Sequence, residues 1–251
     1  MWFDATTVEV VRNAVSGRVA IAVLLVSFLG SIYVIAPAVT AAFLHTGRWR
    51  TRAIDTWPGI VIGGYGVFVS LKPLFSIDRP PVDPPLAREA LPVGLGPLYD
   101  LGVGFGSASF PSGHAVAATV FWGLVVLDAP YGTRRTRAVV CGAVVALVCF
   151  SRIALGVHYP ADVVGGAVIG LAYLALAVGL RELSPRPVRA TLLLAGLFAI
   201  GGVPSGRPTD AAILLAALGV VVLVYRYGPR LGIRPADERD ETAADPSPVQ
   251  F

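Results

Sequence analysis

Three short polar strings interrupt an otherwise apolar chain, and they hold its only lysine and two of its three histidines. The first runs from Lys72 to Arg79-Pro80. The second is Pro111-Ser112-Gly113-His114. The third runs from Ser151-Arg152 through His158 to Asp162. Fixed cations, a helix-capping serine and imidazoles are the groups that hold an anion and move protons beside it. Together they point to one anion site at a membrane surface.

Each string has its own logic. Lys72 and Arg79 are seven residues apart, which predicts one helix face and a separation of about 10 Å along the axis. Pro80 disfavours a helical conformation at Arg79, so the helix is expected to end there. A plainer alternative is a snorkelling lysine with a helix-end arginine, although a lysine deep in an apolar stretch is expensive unless it has work to do. Ser112 is a natural N-cap, and the free backbone N–H groups after it make an anion seat aligned with the helix dipole. Gly113 lets a ligand approach the backbone, and His114 would stand beside it. An ordinary serine-capped helix would read the same way. Arg152 offers a planar fork suited to phosphate. Pro160 fits the first helical position, which puts Asp162 in the first turn. From there its carboxylate can reach one ring nitrogen of His158, fix the tautomer and leave the other nitrogen free to attack. The dipole alone would also favour an acid at Asp162.

The elements that position these strings are membrane helices. Of the 251 residues, 55% are hydrophobic and 14% charged, whereas a soluble domain carries about a quarter charged residues. The net charge of +4 comes from scattered arginines, with no basic stripe of the kind that binds nucleic acid. Seven apolar segments approach the roughly 20 residues needed to span a bilayer: 19–44, 58–77, 114–129, 138–157, 160–180, 190–204 and 210–226, the third and sixth being the shortest. The fold class is therefore an all-α polytopic bundle of about six to seven transmembrane helices. Residues 1–234 read as one domain with its core at 58–180. The first apolar run is too long for a signal peptide and reads as a retained helix. The acidic stretch 235–251 reads as a disordered tail.

Arginines set the expected orientation. Arg48, Arg50, Arg52, Arg134, Arg135, Arg137, Arg181, Arg186, Arg189, Arg226, Arg230 and Arg234 fall in alternate loops. Arg12, Arg18, Arg79, Arg88, Arg152 and Arg207 fall on the other side. Retention of positive charge in the cytoplasm places the C-terminus inside and all three strings outside. The proline-bearing segment from Arg79 to Phe110 is expected to cap the site. Cys141 and Cys149 sit about 12 Å apart on one helix and read as packing residues. Trp2, Trp49 and Trp57 read as interfacial anchors, Trp122 as a packing residue, and His45 and Asp128 as interfacial. Ser205-Gly206-Arg207 reads as a plain turn near the site.

Taken together, the strings resemble the three-part signature of the type-2 phosphatidic acid phosphatase superfamily, which includes vanadium haloperoxidases and glucose-6-phosphatase-like enzymes. The resemblance covers residues 72–162. It implies that Lys72, Arg79 and Arg152 hold phosphate oxygens, with Ser112 and the Gly113 N–H completing the cradle. It implies that His158 is the nucleophile, that Asp162 orients it, and that His114 protonates the leaving oxygen and then activates water. Six spans are common in the family, so a count of seven departs from it. No cofactor is implied. Two histidines and an aspartate could suggest a metal triad, but the surrounding cations would repel a divalent ion. The expected activity is metal-independent hydrolysis of a lipid phosphomonoester or pyrophosphate through a phosphohistidine. Polyprenyl pyrophosphate, phosphatidate and phosphatidylglycerophosphate are the candidate substrates. Two alternatives are a lipid-linked phosphotransferase using the same intermediate and a non-enzymatic transporter or scaffold. The partners are a lipid phosphate and membrane lipids, with no nucleic acid, in a multi-pass protein of the cell membrane.

Overall fold

The computed structural model describes residues 2–45, 51–88, 91, 94–103, 108–228 and 230–232; the expected tail at 235–251, Trp49, Arg48, Arg50 and Arg234 lie outside them. Eleven α-helices appear among the described residues: α1 (Ala5–Asn13), α2 (Gly17–Ser27), α3 (Ile32–Leu44), α4 (Arg52–Asp55), α5 (Trp57–Phe75), α6 (Gly96–Val103), α7 (Gly113–Asp128), α8 (Arg134–Ala154), α9 (Pro160–Leu183), α10 (Pro187–Gly201) and α11 (Pro208–Tyr227). Four of them, α5, α8, α9 and α11, are long and apolar enough to cross a membrane. A fifth span results if α1 and the run Gly17–Gly30, which meet at 119°, count as one. The shorter apolar helices are α3, α7 and α10. The two segments expected to be shortest are thus α7 and α10.

The starts of the helices follow local chemistry. Thr133 caps α8 by accepting from the Thr136 N–H at 3.1 Å. Proline opens α9, α10 and α11, where its missing N–H has no intrahelical partner to lose.

One helix was expected over 19–44, and the structure breaks it. Residues Phe28–Gly30 form a 3₁₀ turn, and Ser31 is extended. Ser27 and Ser31 hydroxyls donate back to the Leu24 and Phe28 carbonyls at 2.8 and 2.9 Å. The Trp122 indole donates to the Leu29 carbonyl at 3.0 Å. Carbonyls freed inside a membrane need such partners, so Trp122 is a hydrogen-bonding clamp and not only a packing residue.

The centre of the bundle is α7. Its residues Val116, Val120, Phe121 and Leu124 pack with Ile60 and Val67 of α5 and Tyr173 and Leu174 of α9 in one buried cluster. A helix apolar on all sides belongs in the interior. α9 approaches α7 closely at Gly166, where an added Cβ would lie 2.8 Å from the Ser112 carbonyl. Large apolar side chains such as Val168, Leu171 and Leu176 of α9 and Leu193, Leu197 and Ile200 of α10 face outward, as lipid contact requires.

At the end of the bundle opposite the three strings, Asp128 accepts from the Trp57 indole at 2.8 Å and from Arg181 at 2.7 Å. This ties α5, α7 and α9 together. The Asp128 and Arg181 side chains are only 6% and 8% exposed, and Trp57 is 1% exposed. Asp128 and Trp57 were expected at the interface; both are buried, because each supplies the polar partner the other needs. Trp2 is 62% exposed.

Candidate active site

The chain brings its three polar strings to one end of the bundle by alternating helix direction. α5 and α8 end there, and α7 and α9 begin there. A cavity of about 350 Å³ lies between them, with Lys72, Arg79, Gly113, His114, Arg152 and His158 on its wall.

The expected shared helix face for Lys72 and Arg79 is not observed. α5 stops at Phe75, and Ser76 turns left-handed at φ 46°. Arg79 therefore sits on a non-helical strand of chain that folds back over the site. Its Nη1 donates to the Val157 carbonyl at 2.9 Å. Lys72 Nζ donates to the Ala108 carbonyl at 2.8 Å. The two cations reach the same cavity by different routes.

Arg152 is fully buried in the last turn of α8. Its Nη1 donates to the Gly102 carbonyl of α6 at 2.9 Å, while Nε and Nη2 have no hydrogen-bond partner among the described residues. One edge of the guanidinium thus fixes the side chain, and the other keeps two parallel donors available. A buried donor pair left this way is costly unless something accepts from it; two oxygens of one phosphate match its spacing.

His158 follows the turn at Gly156, whose positive φ of 74° carries its backbone under the Val82 carbonyl. Its Nδ1 lies 3.1 Å from Asp162 Oδ2. The same oxygen accepts from the Tyr159 N–H at 2.8 Å and from the Ser109 hydroxyl. With Nδ1 held by a carboxylate, Nε2 is the ring nitrogen that remains for chemistry. Burial, with the nearby charges of Arg152, Arg79 and Lys72, holds the His158 ring well below the usual imidazole pKa. The neutral form is therefore the one present at pH 7, and it persists as pH falls through 6.5.

Ser112 precedes α7 as its N-cap, but its hydroxyl makes no capping bond. The side chain is fully buried, without a hydrogen-bond partner among the described residues, and is not on the cavity wall. Its backbone N–H instead donates to the Asp162 carbonyl at 3.0 Å. That bond ties the start of α7 to the start of α9, and Gly113 lines the cavity where Ser112 does not.

Three contributors escaped the sequence reading, and a fourth, Arg207, was read there as part of a plain turn near the site. Ser109 joins the His158–Asp162 pair, lying 3.4 Å from His158 Nδ1. α6 forms within the proline-bearing segment and brings the Gly102 carbonyl to Arg152. Arg207 and Tyr65 line the cavity too. Ser109 and Gly102 have no motif to mark them, whereas Arg207, an arginine just ahead of a helix at the string end, was a usable signal. The expected cap is present in outline: Arg88 pairs with Asp100 of α6 at 2.9 Å, and the Tyr99 hydroxyl donates to the Leu86 carbonyl at 2.5 Å. Arg12 of α1 fastens it further by donating to the Asp83 carbonyl at 2.8 Å.

Residues 56–186 match the family model of the PAP2 superfamily. Phosphatidylglycerophosphatase B of Bacillus subtilis (strain 168) is 35% identical over 82 residues, which are 30% of this chain and 40% of that protein. The match thus spans less than half the length of that relative. The crystal structure of a transmembrane PAP2-type phosphatidylglycerolphosphate phosphatase from Bacillus subtilis superposes with a TM-score of 0.54 at 21% identity, covering 72% of this chain and 86% of that one. That likeness is one of fold: an all-helical, multi-pass membrane bundle.

Proposed function

The chain belongs to the PAP2 superfamily, and from that membership we propose that it is an integral-membrane lipid phosphatase working through a phosphohistidine. The observation that carries the reading is the convergence, in one cavity, of three buried or half-buried cations and a histidine held at Nδ1 by a carboxylate. The cavity wall beside them is apolar, with Phe68, Ile213 and Leu214, as a lipid tail requires.

In the proposed reaction Arg152, Lys72 and Arg79 neutralise the phosphoryl oxygens, and the N–H of Gly113 adds a fixed dipole. His158 Nε2 attacks phosphorus. The N–P bond forms, the ester or anhydride P–O bond breaks, and His114 gives its proton to the departing oxygen. Asp162 holds the ring through Nδ1 and stabilises the charge it gains. Water then attacks the phosphohistidine while His114 takes its proton, and inorganic phosphate leaves. No metal is required, because cations already surround the phosphate. The arginine-rich loops at the opposite end, with Arg134, Arg135, Arg137, Arg186 and Arg189, favour a cytoplasmic position for that end, and with it a cavity at the outer leaflet.

The test is phosphate release by the purified full chain in detergent, from phosphatidate, phosphatidylglycerophosphate and a polyprenyl diphosphate, each with and without EDTA. One inorganic phosphate released per lipid cleaved, with no phosphoryl group passed to another acceptor and no effect of EDTA, is expected. No release from any lipid would sink the phosphatase reading, and transfer to an added alcohol would favour a phosphotransferase.

A further inference from the structure

The catalytic cavity contains a fourth cation that the proposed reaction does not use. Arg207 lies immediately ahead of α11, held by its backbone N–H to the Gly202 carbonyl at 2.9 Å and by the Ala211 N–H to its own carbonyl at 3.0 Å. Its Nη1 pairs with Asp210 Oδ2 at 2.8 Å. Both residues line the cavity that holds Lys72, His114, Arg152 and His158, and Arg207 is near enough to Lys72 for its charge to act on the ammonium.

Depth separates this cation from the others. Arg152 is fully buried and Lys72 only 5% exposed, whereas the Arg207 and Asp210 side chains are 28% and 42% exposed. Arg207 therefore stands at the mouth, above the reacting phosphate. About one turn beyond Asp210 on α11, Ile213 and Leu214 form apolar wall. Tyr65 of α5, about two turns before Lys72, also lines the cavity, and its hydroxyl is buried without a hydrogen-bond partner among the described residues. A lipid with its terminal phosphate on Arg152 and its tail along α11 passes Arg207 at the start of that helix, and the Tyr65 hydroxyl borders the same cavity.

We propose that Arg207, positioned by Asp210 and assisted by the Tyr65 hydroxyl, forms a second anion subsite that reads a further phosphate between the reacting phosphate and the tail. This rests on the lipid-phosphatase reading and narrows it. Substrates with two phosphates are favoured over phosphatidate, which has one. The second phosphate is either the adjacent one of a diphosphate or the phosphodiester of phosphatidylglycerophosphate. Asp210 keeps the guanidinium extended into the mouth, and its carboxylate accepts from one nitrogen only, so the remaining donors stay available to an anion. Because Arg207 and Asp210 belong to the start of the last helix, outside the three strings, the charge that reads the further phosphate comes from a different part of the chain than the phosphoryl chemistry.

Two measurements test it. The first is calorimetric binding of methylenebisphosphonate and of methylphosphonate, which resist hydrolysis, to the full chain in detergent. The wild type is expected to favour the bisphosphonate, and Arg207→Gln should shrink that preference about ten-fold, in line with a lost charge-assisted hydrogen bond. Arg207→Lys should restore part of it. Methylphosphonate binding by Arg207→Gln shows that the variant is folded. An unaltered preference overturns the subsite for the adjacent phosphate of a diphosphate. The second is the kcat/KM ratio of each two-phosphate lipid to phosphatidate. A ratio that falls for the diphosphate, for phosphatidylglycerophosphate or for both supports the subsite and identifies which phosphate it reads; equal losses on all three lipids overturn it. A wild type that binds the bisphosphonate preferentially but releases no lipid phosphate would refute the enzymatic reading and leave the anion subsite standing.

Discussion

His158→Ala is expected to lower phosphate release by about four orders of magnitude or more, as loss of a nucleophile does, while phosphate still binds. The geometry separates these two effects. The cations proposed to hold phosphate come from α5, α8 and the strand of chain after α5, and none of them is held by the His158 ring. Arg152 is fixed by Gly102, and Lys72 by Ala108. The ring itself is held by Asp162 Oδ2, so its removal leaves the Tyr159 and Ser109 donors on that oxygen and the start of α9 intact. Single-turnover assays with radiolabelled substrate should trap an acid-labile phosphoprotein in the wild type and none in the variant. Near-normal release by purified His158→Ala would remove this residue from the chemistry.

Arg152→Lys should cost about a hundred-fold in kcat/KM although charge is kept. The guanidinium has two tasks in the proposed reaction, with Nη1 fixed on the Gly102 carbonyl and Nε and Nη2, which have no partner among the described residues, left for the phosphate. An ammonium is a point donor and cannot hold α6 and grip two phosphate oxygens in parallel. Two charge-assisted hydrogen bonds, each about 1.5–3 kcal/mol, set the scale. The loss should appear in binding of methylphosphonate as well as in turnover, because the contact exists before the transition state. A variant with wild-type kcat/KM would show that charge alone suffices at this position.

The catalytic end was legible in the sequence because its parts are local. Pro160 and Asp162 are two residues apart, and the first turn of a helix brings the Asp162 carboxylate back to His158 whatever the rest of the molecule does. Gly113 and His114 likewise follow from a helix start. What failed depended on backbone choices the residue types do not announce. The left-handed Ser76 ends α5 before Arg79, so the inferred common face does not exist. The break at Phe28–Gly30 is set by contacts from Trp122 and by the close approach of Gly30 to the His114 carbonyl, neither of which is visible in an apolar run. Ser109, Gly102 and Tyr65 reach the site only through tertiary packing. Asp128 was misplaced for the same reason: its partners, Trp57 and Arg181, are distant in sequence.

The short central helix has a consequence for the way lipid meets the molecule. α7 has 16 residues, about 24 Å at 1.5 Å per residue, against a hydrocarbon core of about 30 Å. Its neighbour α9 has 24 residues, about 36 Å. α7 is enclosed by its neighbours, so lipid tails meet the longer helices and no leaflet has to thin against the short one. The headgroup, and not the bilayer, makes up the difference in length: turnover should be indifferent to the chain length of the surrounding phosphatidylcholine in vesicles, and a steep fall in thicker bilayers would show that lipid reaches α7 after all.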